Sequence, residues 1–397
     1  MSLKIIVRSF KMNYKLNILV GLQIAIVFFL LISLTSTICS FYSTYNPLKK
    51  ELNNNGAYAF IDHGQNPEDK KTIRQKEEFQ NLVKDTDNIS GTYSVWLSYN
   101  ETDLNAISYD DDIINWYTPE MKDGEWFDLN KDQENFVQVV VSDNNAGFRT
   151  GDEVTFDSFG NEIKAKIVGV MSQNSKIIGA LTRQKEEISS QDLFVNYNFD
   201  IEEKTLFIFN QKSLLDKPVI TQMNGPVFLR YKSDIPTESK EYNEKTLMKL
   251  NKSLLISYDT IKENSIENIR KRLVVLLPLV ICISVLTITT IVSANALIMK
   301  NQLRTYSIFY ICGLKWNSCI IYSVLSSVIT ALISMGFCCS LIWLIDYLEL
   351  LHYSYITLGF KQLTVCMTNM ILYAICSFLV SRRILKKNSP VQNLKSY

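Results

Sequence analysis

Four long stretches of the chain contain no charged residue, and they set its organisation. The stretches without Asp, Glu, Lys or Arg are 17–40, 273–297, 317–345 and 362–380. Each is close to or above the ~20 residues that a helix needs to cross ~30 Å of hydrocarbon. Uncharged apolar runs of this length are typical of membrane-spanning helices. We therefore predict transmembrane helices at 17–40, 273–298, 317–345 and 362–380.

Basic residues are distributed unevenly around these stretches. The segment 1–16, the loop 299–316 and the tail 381–397 hold four, three and five of the 41 Lys and Arg residues, and none of the 40 Asp and Glu. Short segments rich in Lys and Arg stay on the cytoplasmic side of a membrane. We therefore predict that both termini are cytoplasmic, and that 41–272 and the loop 346–361 lie outside. The basic run 270–272 opposes this orientation but is outnumbered.

The segment 41–272 predicts an α+β extracytoplasmic domain inserted between helices 1 and 2. Short runs rich in β-branched and aromatic residues are typical of strands. We place strands at 57–63, 92–99, 136–141, 193–197, 205–210 and 226–231, and a helix at 70–84. The runs 153–156 and 163–168 flank a turn that contains Gly160, which predicts a β-hairpin.

The end of this domain predicts a helical stalk at about 238–272. Apolar residues recur there at three- and four-residue spacing: Leu247, Leu250, Leu254, Tyr258 and Ile261. No Pro or Gly interrupts the chain between 238 and 277. One helix would then run directly into the second transmembrane helix. A surface helix packed on its own domain explains the same spacing and stays an alternative.

The segment 1–16 predicts a helix lying in the cytoplasmic interface of the membrane. Its basic residues form one stripe, and its apolar residues fall on another face: Lys4, Arg8, Lys11 and Lys15 against Leu3, Ile6, Phe10 and Tyr14. Such a helix turns its basic side towards lipid phosphates. A frayed basic terminus is the alternative.

Small and hydroxyl-bearing residues gather on one face of the third predicted transmembrane helix. They are Ser323, Ser326, Ser327, Thr330, Ala331 and Ser334. Small residues let helices approach closely, so we predict a helix-packing face. A polar face can also line a water-filled path. Packing is favoured, because the four stretches lack the ionisable residues that ion-coupled transporters usually place at membrane depth.

The sequence contains no recognisable catalytic or cofactor motif. Its two histidines, His63 and His352, lie in different segments, and HExxH, G-x-S-x-G and G-x-x-x-x-G-K-[ST] are all missing. The acidic run 110–112 offers ligands for a cation, although a solvated turn is favoured. We predict a protein that is not an enzyme, holds no cofactor or metal, and binds no nucleic acid.

The cysteines indicate the compartment. All eight lie in or beside the predicted helices or in the cytoplasmic loop: Cys39, Cys282, Cys312, Cys319, Cys338, Cys339, Cys366 and Cys376. The outer domain has none, whereas secreted eukaryotic domains of this size usually contain disulfides. With a composition rich in Lys, Asn and Ile, this favours the cell membrane of a single-membrane, Gram-positive type of bacterium.

Several local stretches occur in a characteristic order. They are Asp123-Gly-Glu-Trp-Phe127, Val137-Gln-Val-Val-Val-Ser142, Phe148-Arg-Thr-Gly-Asp-Glu-Val154, Ile167-Val-Gly-Val170, Arg304-Thr-Tyr-Ser-Ile-Phe-Tyr-Ile-Cys-Gly313 and Ser389-Pro-Val-Gln-Asn-Leu394. With one span, a large outer domain and three further spans, this order resembles the MacB/FtsX-like family of ABC-transporter permeases, the type VII exporters and mechanotransmitters. The resemblance covers nearly the whole chain.

The resemblance implies a separate ABC ATPase as partner, and a homodimer or a heterodimer with a sister permease. It implies that ATP-driven motion enters through the coupling loop 299–316 and the N-terminal helix, and reshapes the outer domain instead of opening a pore. The residues implied in ATPase coupling are Lys300, Arg304, Thr305, Tyr306, Gly313 and Lys315. The sequence departs from the family pattern. Where the family usually has Glu, the nearest candidates here are Thr305 and Tyr306, and Tyr310 stands in place of the second basic residue, which puts the partner surface in question.

Three functional hypotheses follow. The favoured one is a permease, driven by a separate ATPase, that exports or extracts a peptide or lipid-linked substrate, with antimicrobial-peptide or bacteriocin export or resistance as its favoured use. The second is an FtsX-like regulator of an extracellular cell-wall hydrolase. The third is a membrane-anchored receptor domain that works without an ATPase.

Overall fold

In a computed structural model of the protein, the described residues are 14–61, 76–129, 136–142, 147–172, 175–179, 187–196, 205–249, 254–315, 317–347, 356 and 358–387. They fall into two compact units. Met1–Ser40 and Ile269–Tyr397 form the helical unit, and Phe41–Asn268 forms the sheet unit. The predicted interfacial helix lies outside the described residues up to residue 13, as does the whole stretch 389–394.

The helices in chain order are α1 (Tyr14–Leu52), α2 (Lys76–Gln80), α3 (Asp111–Trp116), α4 (Gln211–Leu215), α5 (Thr237–Lys249), α6 (Tyr258–Ile311), α7 (Ser318–Tyr347) and α8 (Phe360–Lys387). The strands are β1 (Gly56–Ile61), β2 (Thr86–Trp96), β3 (Ser98–Tyr99), β4 (Thr102–Asp103), β5 (Asn105–Tyr109), β6 (Met121–Gly124), β7 (Val137–Val141), β8 (Glu153–Ser158), β9 (Asn161–Met171), β10 (Lys176–Ile178), β11 (Phe194–Asn196), β12 (Leu206–Asn210), β13 (Ile220–Tyr231) and β14 (Leu254–Ser257).

Four of these helices, α1, α6, α7 and α8, are long and apolar enough to cross a membrane. They contain the four uncharged stretches, so the prediction of four apolar helices is confirmed, and the chain is a membrane protein. Two of them, α1 and α6, extend more than ten residues beyond their uncharged stretches. Helix α1 continues to Leu52, and its last turns belong to the sheet unit, where Leu48 and Leu52 are fully buried. Burial of that apolar stripe explains why the helix does not end with the uncharged run.

The prediction of one continuous stalk over 238–272 is wrong. Helix α5 ends at Lys249, and Leu254–Ser257 forms β14, which pairs antiparallel with β1 before α6 begins at Tyr258. The spacing of apolar residues suits a helix, but Leu255 and Ile256 are buried by pairing with a distant strand. Such pairing outweighs local helix propensity. The helical segment that continues towards residue 311 therefore starts at Tyr258.

The sheet unit is built on one mixed sheet of twelve strands. Eleven strands follow the order β14-β1-β13-β2-β5-β12-β7-β9-β8-β3-β4, and β6 pairs with β9 off this path. The pairs β5–β12 and β7–β9 are parallel, and the other pairs are antiparallel. The first and last strands of the unit along the chain, β1 and β14, pair with each other at one edge of the sheet. The predicted α+β character of this unit is thus observed as a mixed sheet with short helices.

The predicted hairpin is confirmed as β8 and β9, whose pairing ends at Ser158 and Asn161. Alternate residues of β8 are buried, as expected for a strand with one solvated face. Both turn residues, Phe159 and Gly160, have positive φ (53° and 86°), the pattern of a type I′ turn. The Asp157 carboxylate accepts the Gly160 N–H at 3.1 Å and holds the turn.

Each of the six predicted strands coincides with an observed one. They correspond to β1, β2 with β3, β7, β11, β12 and β13. The helix predicted at 70–84 is shorter among the described residues, because α2 ends at Gln80 and a turn follows. Its first six residues lie outside the described part of the chain.

Candidate functional site

The segment predicted as a coupling loop is mostly helical. Helix α6 continues through Lys300, Arg304, Thr305 and Tyr306 and ends at Ile311. The prediction of a loop at 299–316 is therefore wrong for most of its length. The first residue of this segment that suits a helix end is Gly313. The turn that follows is short, and α7 begins at Ser318.

Gly313 ends this helix in a Schellman motif. Its φ is +94°, a conformation that glycine adopts without strain. The N–H of Gly313 donates to the Tyr310 carbonyl at 3.0 Å, and the N–H of Leu314 donates to the Phe309 carbonyl at 2.9 Å. These two bonds define the motif. The glycine singled out by the resemblance thus has a structural role in stopping the helix.

The last turns of α6 have one buried face and one exposed face. Met299 and Tyr306 are buried against Cys319 and Ile320 of α7 and Leu385 of α8. The exposed face carries Lys300, Arg304, Ile308 and Ile311, at spacings of four, four and three residues, and we call it the coupling face.

The other predicted coupling residues are placed differently. Lys315 and Gly313 are exposed just beyond the coupling face, and Thr305 is half-buried. Tyr306 is buried, and its hydroxyl donates to Gln302 Oε1 at 2.5 Å. Of the residues implied by the resemblance, Tyr306 is therefore the one that packs inside the chain.

The predicted packing face of α7 is a line of polar contacts between helices. Ser327 Oγ donates to Asn295 Oδ1 of α6 at 3.0 Å and lies 3.0 Å from Ser377 Oγ of α8. One turn away, Ser381 Oγ of α8 donates to Ser323 Oγ at 2.9 Å. Hydroxyl and amide contacts therefore join α6, α7 and α8 on this face.

The rest of this face packs closely. Thr330 and Ser334 donate to backbone carbonyls of their own helix, Ser326 and Ala331 are buried, and a Cβ on Gly21 of α1 would lie 3.2 Å from Ser334 Oγ. Helix α1 thus approaches α7 at a glycine, the arrangement that small residues permit.

A small cavity lies beside this line of contacts. Thirteen residues of the helical unit line it: Asn17, Val20, Ile24, Ile291, Ala294, Asn295, Ile298, Tyr306, Ser323, Ser326, Ser327, Thr330 and Tyr373. Sequence reasoning did not single out Asn295 or Tyr373. For Asn295, the available signal was the single amide in the uncharged run 273–297.

In the sheet unit, Glu51 is the centre of a buried polar cluster that we call the clamp. Glu51 is 2% exposed and forms an ion pair with Arg230 of β13. Its carboxylate also accepts the Tyr258 hydroxyl at 3.3 Å and Asn54 Nδ2 at 3.2 Å. The hydrogen bonds that Arg230 donates to the Glu51 carboxylate raise the pKa of Arg230, so the guanidinium stays charged. The clamp ties the end of α1 and the start of α6 to one strand.

Close packing surrounds the clamp. Gly56 pairs with Arg230, and a Cβ at Gly56 would overlap the Tyr258 ring and the Leu229 carbonyl oxygen. Tyr258 and Ile261, in the first turn of α6, are almost fully buried in the same core as Leu48 and Leu52. Farther along, Ser265 Oγ accepts the Ser190 N–H at 2.8 Å. The first turns of α6 are therefore an integral part of the sheet unit.

The acidic run 110–112 is not the solvated turn that was favoured. Asp110 Oδ2 accepts the Gly91 N–H at 2.8 Å, and Asp112 Oδ2 accepts the Ser90 hydroxyl at 2.8 Å. These carboxylates therefore fix α3 onto β2. Among the described residues, no group of three or more His, Cys, Asp and Glu side chains could hold a metal ion.

Burial raises the pKa of Asp110 to about 6, although the Gly91 N–H and the charge of Lys76 act against this rise. The unfolded chain then ionises first as pH rises, so the free energy of unfolding falls between about pH 4 and pH 6. We expect Asp110→Asn to abolish this part of the fall and to stabilise the sheet unit at pH 7 by ~1–3 kcal/mol relative to wild type. Pulse proteolysis in urea at pH 4.5 and pH 7 measures it.

The control for this prediction is Asp103→Asn, which removes an exposed carboxylate on β4. If the free energy of unfolding of Asp110→Asn depends on pH as closely like wild type as that of the control does, the assignment of this pH dependence to Asp110 is contradicted.

The glycines of two sequence motifs in the sheet unit have packing roles. Gly124 of β6 pairs with Gly169 of β9. A Cβ at Gly124 would overlap the Val168 carbonyl oxygen, and one at Gly169 would overlap the Glu125 carbonyl oxygen. Beside them, Trp126 Nε1 donates to the Ile114 carbonyl at 3.2 Å. These motif residues therefore position strands β6 and β9.

Comparisons with known proteins identify no family. No protein-family model and no curated protein matches the chain. Among solved structures, the chain is similar to the periplasmic region of MacB from Actinobacillus actinomycetemcomitans, at 14% identity and a TM-score of 0.31, covering 56% of this chain and 96% of that one. It is also similar to the extracellular domain of the noncanonic ABC-type transporter YknZ from Gram-positive bacteria, at 12% identity and 0.27, covering 51% and 100%. At such TM-scores neither likeness assigns a fold or a function.

Proposed function

We propose that the chain is the permease subunit of an ABC transporter whose ATP hydrolysis takes place in a separate ATPase. The observation that carries the proposal is the coupling face of α6. It presents Lys300 and Arg304 beside Ile308 and Ile311, which are 47% and 69% exposed. A helix end with adjacent apolar and basic residues suits a groove on a protein partner.

Helix α6 offers a route for motion between this face and the sheet unit. It is one helix from Tyr258 to Ile311, with Pro278 inside it, and its first residue belongs to the clamp. A displacement of the coupling face along the helix axis would reach Tyr258 without passing through a loop. The proposal therefore assigns α6 the role of transmitting ATP-dependent motion to an extracytoplasmic domain.

The remaining parts of the proposal rest on the sequence. Both termini are cytoplasmic, the protein acts as a homodimer or with a sister permease, and it lies in the cell membrane of a bacterium of the Gram-positive type. The substrate is a peptide or a lipid-linked molecule that is exported or extracted, with antimicrobial-peptide or bacteriocin export or resistance favoured. The FtsX-like regulator of a cell-wall hydrolase differs in its ligand, because it would bind a folded protein.

The test is affinity purification of the tagged full-length protein from its native membrane, followed by identification of the proteins that co-purify. We expect an ABC ATPase with the wild type, and its loss with Arg304→Glu and Ile308→Glu. The matched control is Arg270→Glu, which reverses an exposed charge elsewhere on the same helix.

Three outcomes count against the proposal or part of it. Absence of any ATPase from the wild type in several mild detergents overturns it in favour of the receptor hypothesis. If both coupling-face variants retain the ATPase, the ATPase contacts another surface of the chain. A folded extracellular protein that co-purifies in place of a peptide or lipid favours the regulator.

A further inference from the structure

We infer that the cavity of the helical unit binds water, and that this water completes the hydrogen bonding of Asn295 and Tyr373. Asn295 Nδ2 and the Tyr373 hydroxyl have no hydrogen-bond partner among the described residues. Both residues line the cavity and are more than nine-tenths buried, with 7% and 2% of their surface exposed. A bare polar group inside a membrane protein is costly, because no lipid tail can satisfy it.

The chemistry of the two groups selects the ligand. If the Asn295 amide is reversed, its nitrogen donates to Ser327 Oγ, and its oxygen becomes the atom without a partner. A water molecule donates and accepts, so it satisfies either orientation, as well as the Tyr373 hydroxyl. A lipid ester carbonyl only accepts hydrogen bonds, and therefore suits only one of the two orientations of the Asn295 amide.

The size of the cavity also selects water. The space open to the centre of a water-sized sphere is about 20 Å³. One water needs roughly 10–15 Å³ by the same measure. The lining contains amide and hydroxyl groups and no Asp, Glu, Lys, Arg or His, so a charged ligand has no counter-charge there. The site therefore holds one water, where it meets two or more polar partners.

Bound water changes what the contacts between α6, α7 and α8 can do. The bonds of Ser327 to Asn295 and Ser377 join three helices through single hydroxyl and amide groups. Water beside these groups replaces a direct bond when a helix shifts, so no polar group is left bare. A dry, apolar contact gives no such substitute. The contact between α6, α7 and α8 is thus suited to small sliding movements of these helices.

The test is X-ray radiolytic labelling of the full-length protein in lipid nanodiscs, followed by mass spectrometry. Radiolysis of bound water oxidises adjacent side chains, so a buried tyrosine is labelled only where water lies next to it. We expect Tyr373 to be labelled several-fold faster than Tyr109. Tyr109 is equally buried, at 2% exposed, but its hydroxyl donates to the Ile178 carbonyl.

Variants locate the water. Asn295→Leu replaces the amide with an apolar side chain of similar size and is expected to lower Tyr373 labelling several-fold, to the level of Tyr109. Thr289→Leu, an exposed change on the same helix, leaves it unchanged. Should Asn295→Leu fail to fold, Tyr373→Phe removes one polar partner with little change of shape, and labelling of Tyr306 in the same cavity then falls.

Two results would overturn the inference. Equal labelling of Tyr373 and Tyr109 in the wild type means that the cavity is dry or filled by lipid. Strong Tyr373 labelling that persists in Asn295→Leu means that water reaches the tyrosine without being held by the amide.

Discussion

Replacement of Arg230 by methionine is expected to destabilise the sheet unit by about 3 kcal/mol, because it leaves the Glu51 carboxylate buried without its counter-charge. The side chain of Glu51 is 3% exposed and that of Arg230 is 31% exposed, so the loss is at the lower end of the range for fully buried pairs. Tyr258 and Asn54 still donate to the carboxylate, but neither supplies a charge. Pulse proteolysis of the full-length protein in urea measures the change.

The chain provides a matched control in the exposed ion pair between Lys245 and Glu241, whose nitrogen and oxygen lie 3.5 Å apart. Lys245→Met is expected to change stability by less than about 1 kcal/mol, since exposed pairs contribute little. The double variant Glu51→Gln with Arg230→Met removes both charges and should recover much of the loss. If Arg230→Met costs no more than Lys245→Met, the clamp does not stabilise the sheet unit.

Gly56→Ala is expected to cost about 3 kcal/mol and to separate Tyr258 from Glu51. The added Cβ would overlap both the Tyr258 ring and a backbone carbonyl oxygen, and a backbone atom cannot move aside as a flexible side chain can. Hydrogen–deuterium exchange of the peptides that cover β1 and the start of α6 would show the loss as faster exchange at both places.

Gly91→Ala is the comparison for Gly56→Ala. Gly91 also lies on a strand of the large sheet, but its added Cβ would meet the end of the Met223 side chain at 3.2 Å. Because that side chain is flexible, the cost should be smaller and confined to β2 and β13. Equal effects of the two substitutions would show that the overlap of the added Cβ with Tyr258 and the backbone does not determine the cost of Gly56→Ala.

Local patterns were sufficient to predict the elements whose determinants lie within one segment. Uncharged runs located four apolar helices, and alternation with a glycine turn located the β8–β9 hairpin. The β14 segment was misassigned because its spacing fits a helix, whereas its structure depends on pairing with β1, almost two hundred residues earlier. The order of strands in the sheet is non-local in the same way.

The candidate site was predictable only in part for a related reason. Lys300, Arg304 and Gly313 were identified through the resemblance, and they lie on or beside an exposed helix end. The clamp was not predicted, because Glu51 and Arg230 are brought together by the sheet and neither is unusual in its local sequence. Asn295 was passed over since a single amide does not change the apolar character of its helix.

The position of β1 has a consequence for how the chain is made. β1 lies between β13 and β14, so its backbone groups that face β14 stay unpaired until the segment up to Ser257 has been synthesised. Contacts of such long sequence separation make folding slow. α6 begins at the next residue, so synthesis of the second apolar helix starts when all strands of the sheet have been made. Completion of the sheet therefore follows synthesis of the whole segment, and one side of β1 lacks its partner strand until then.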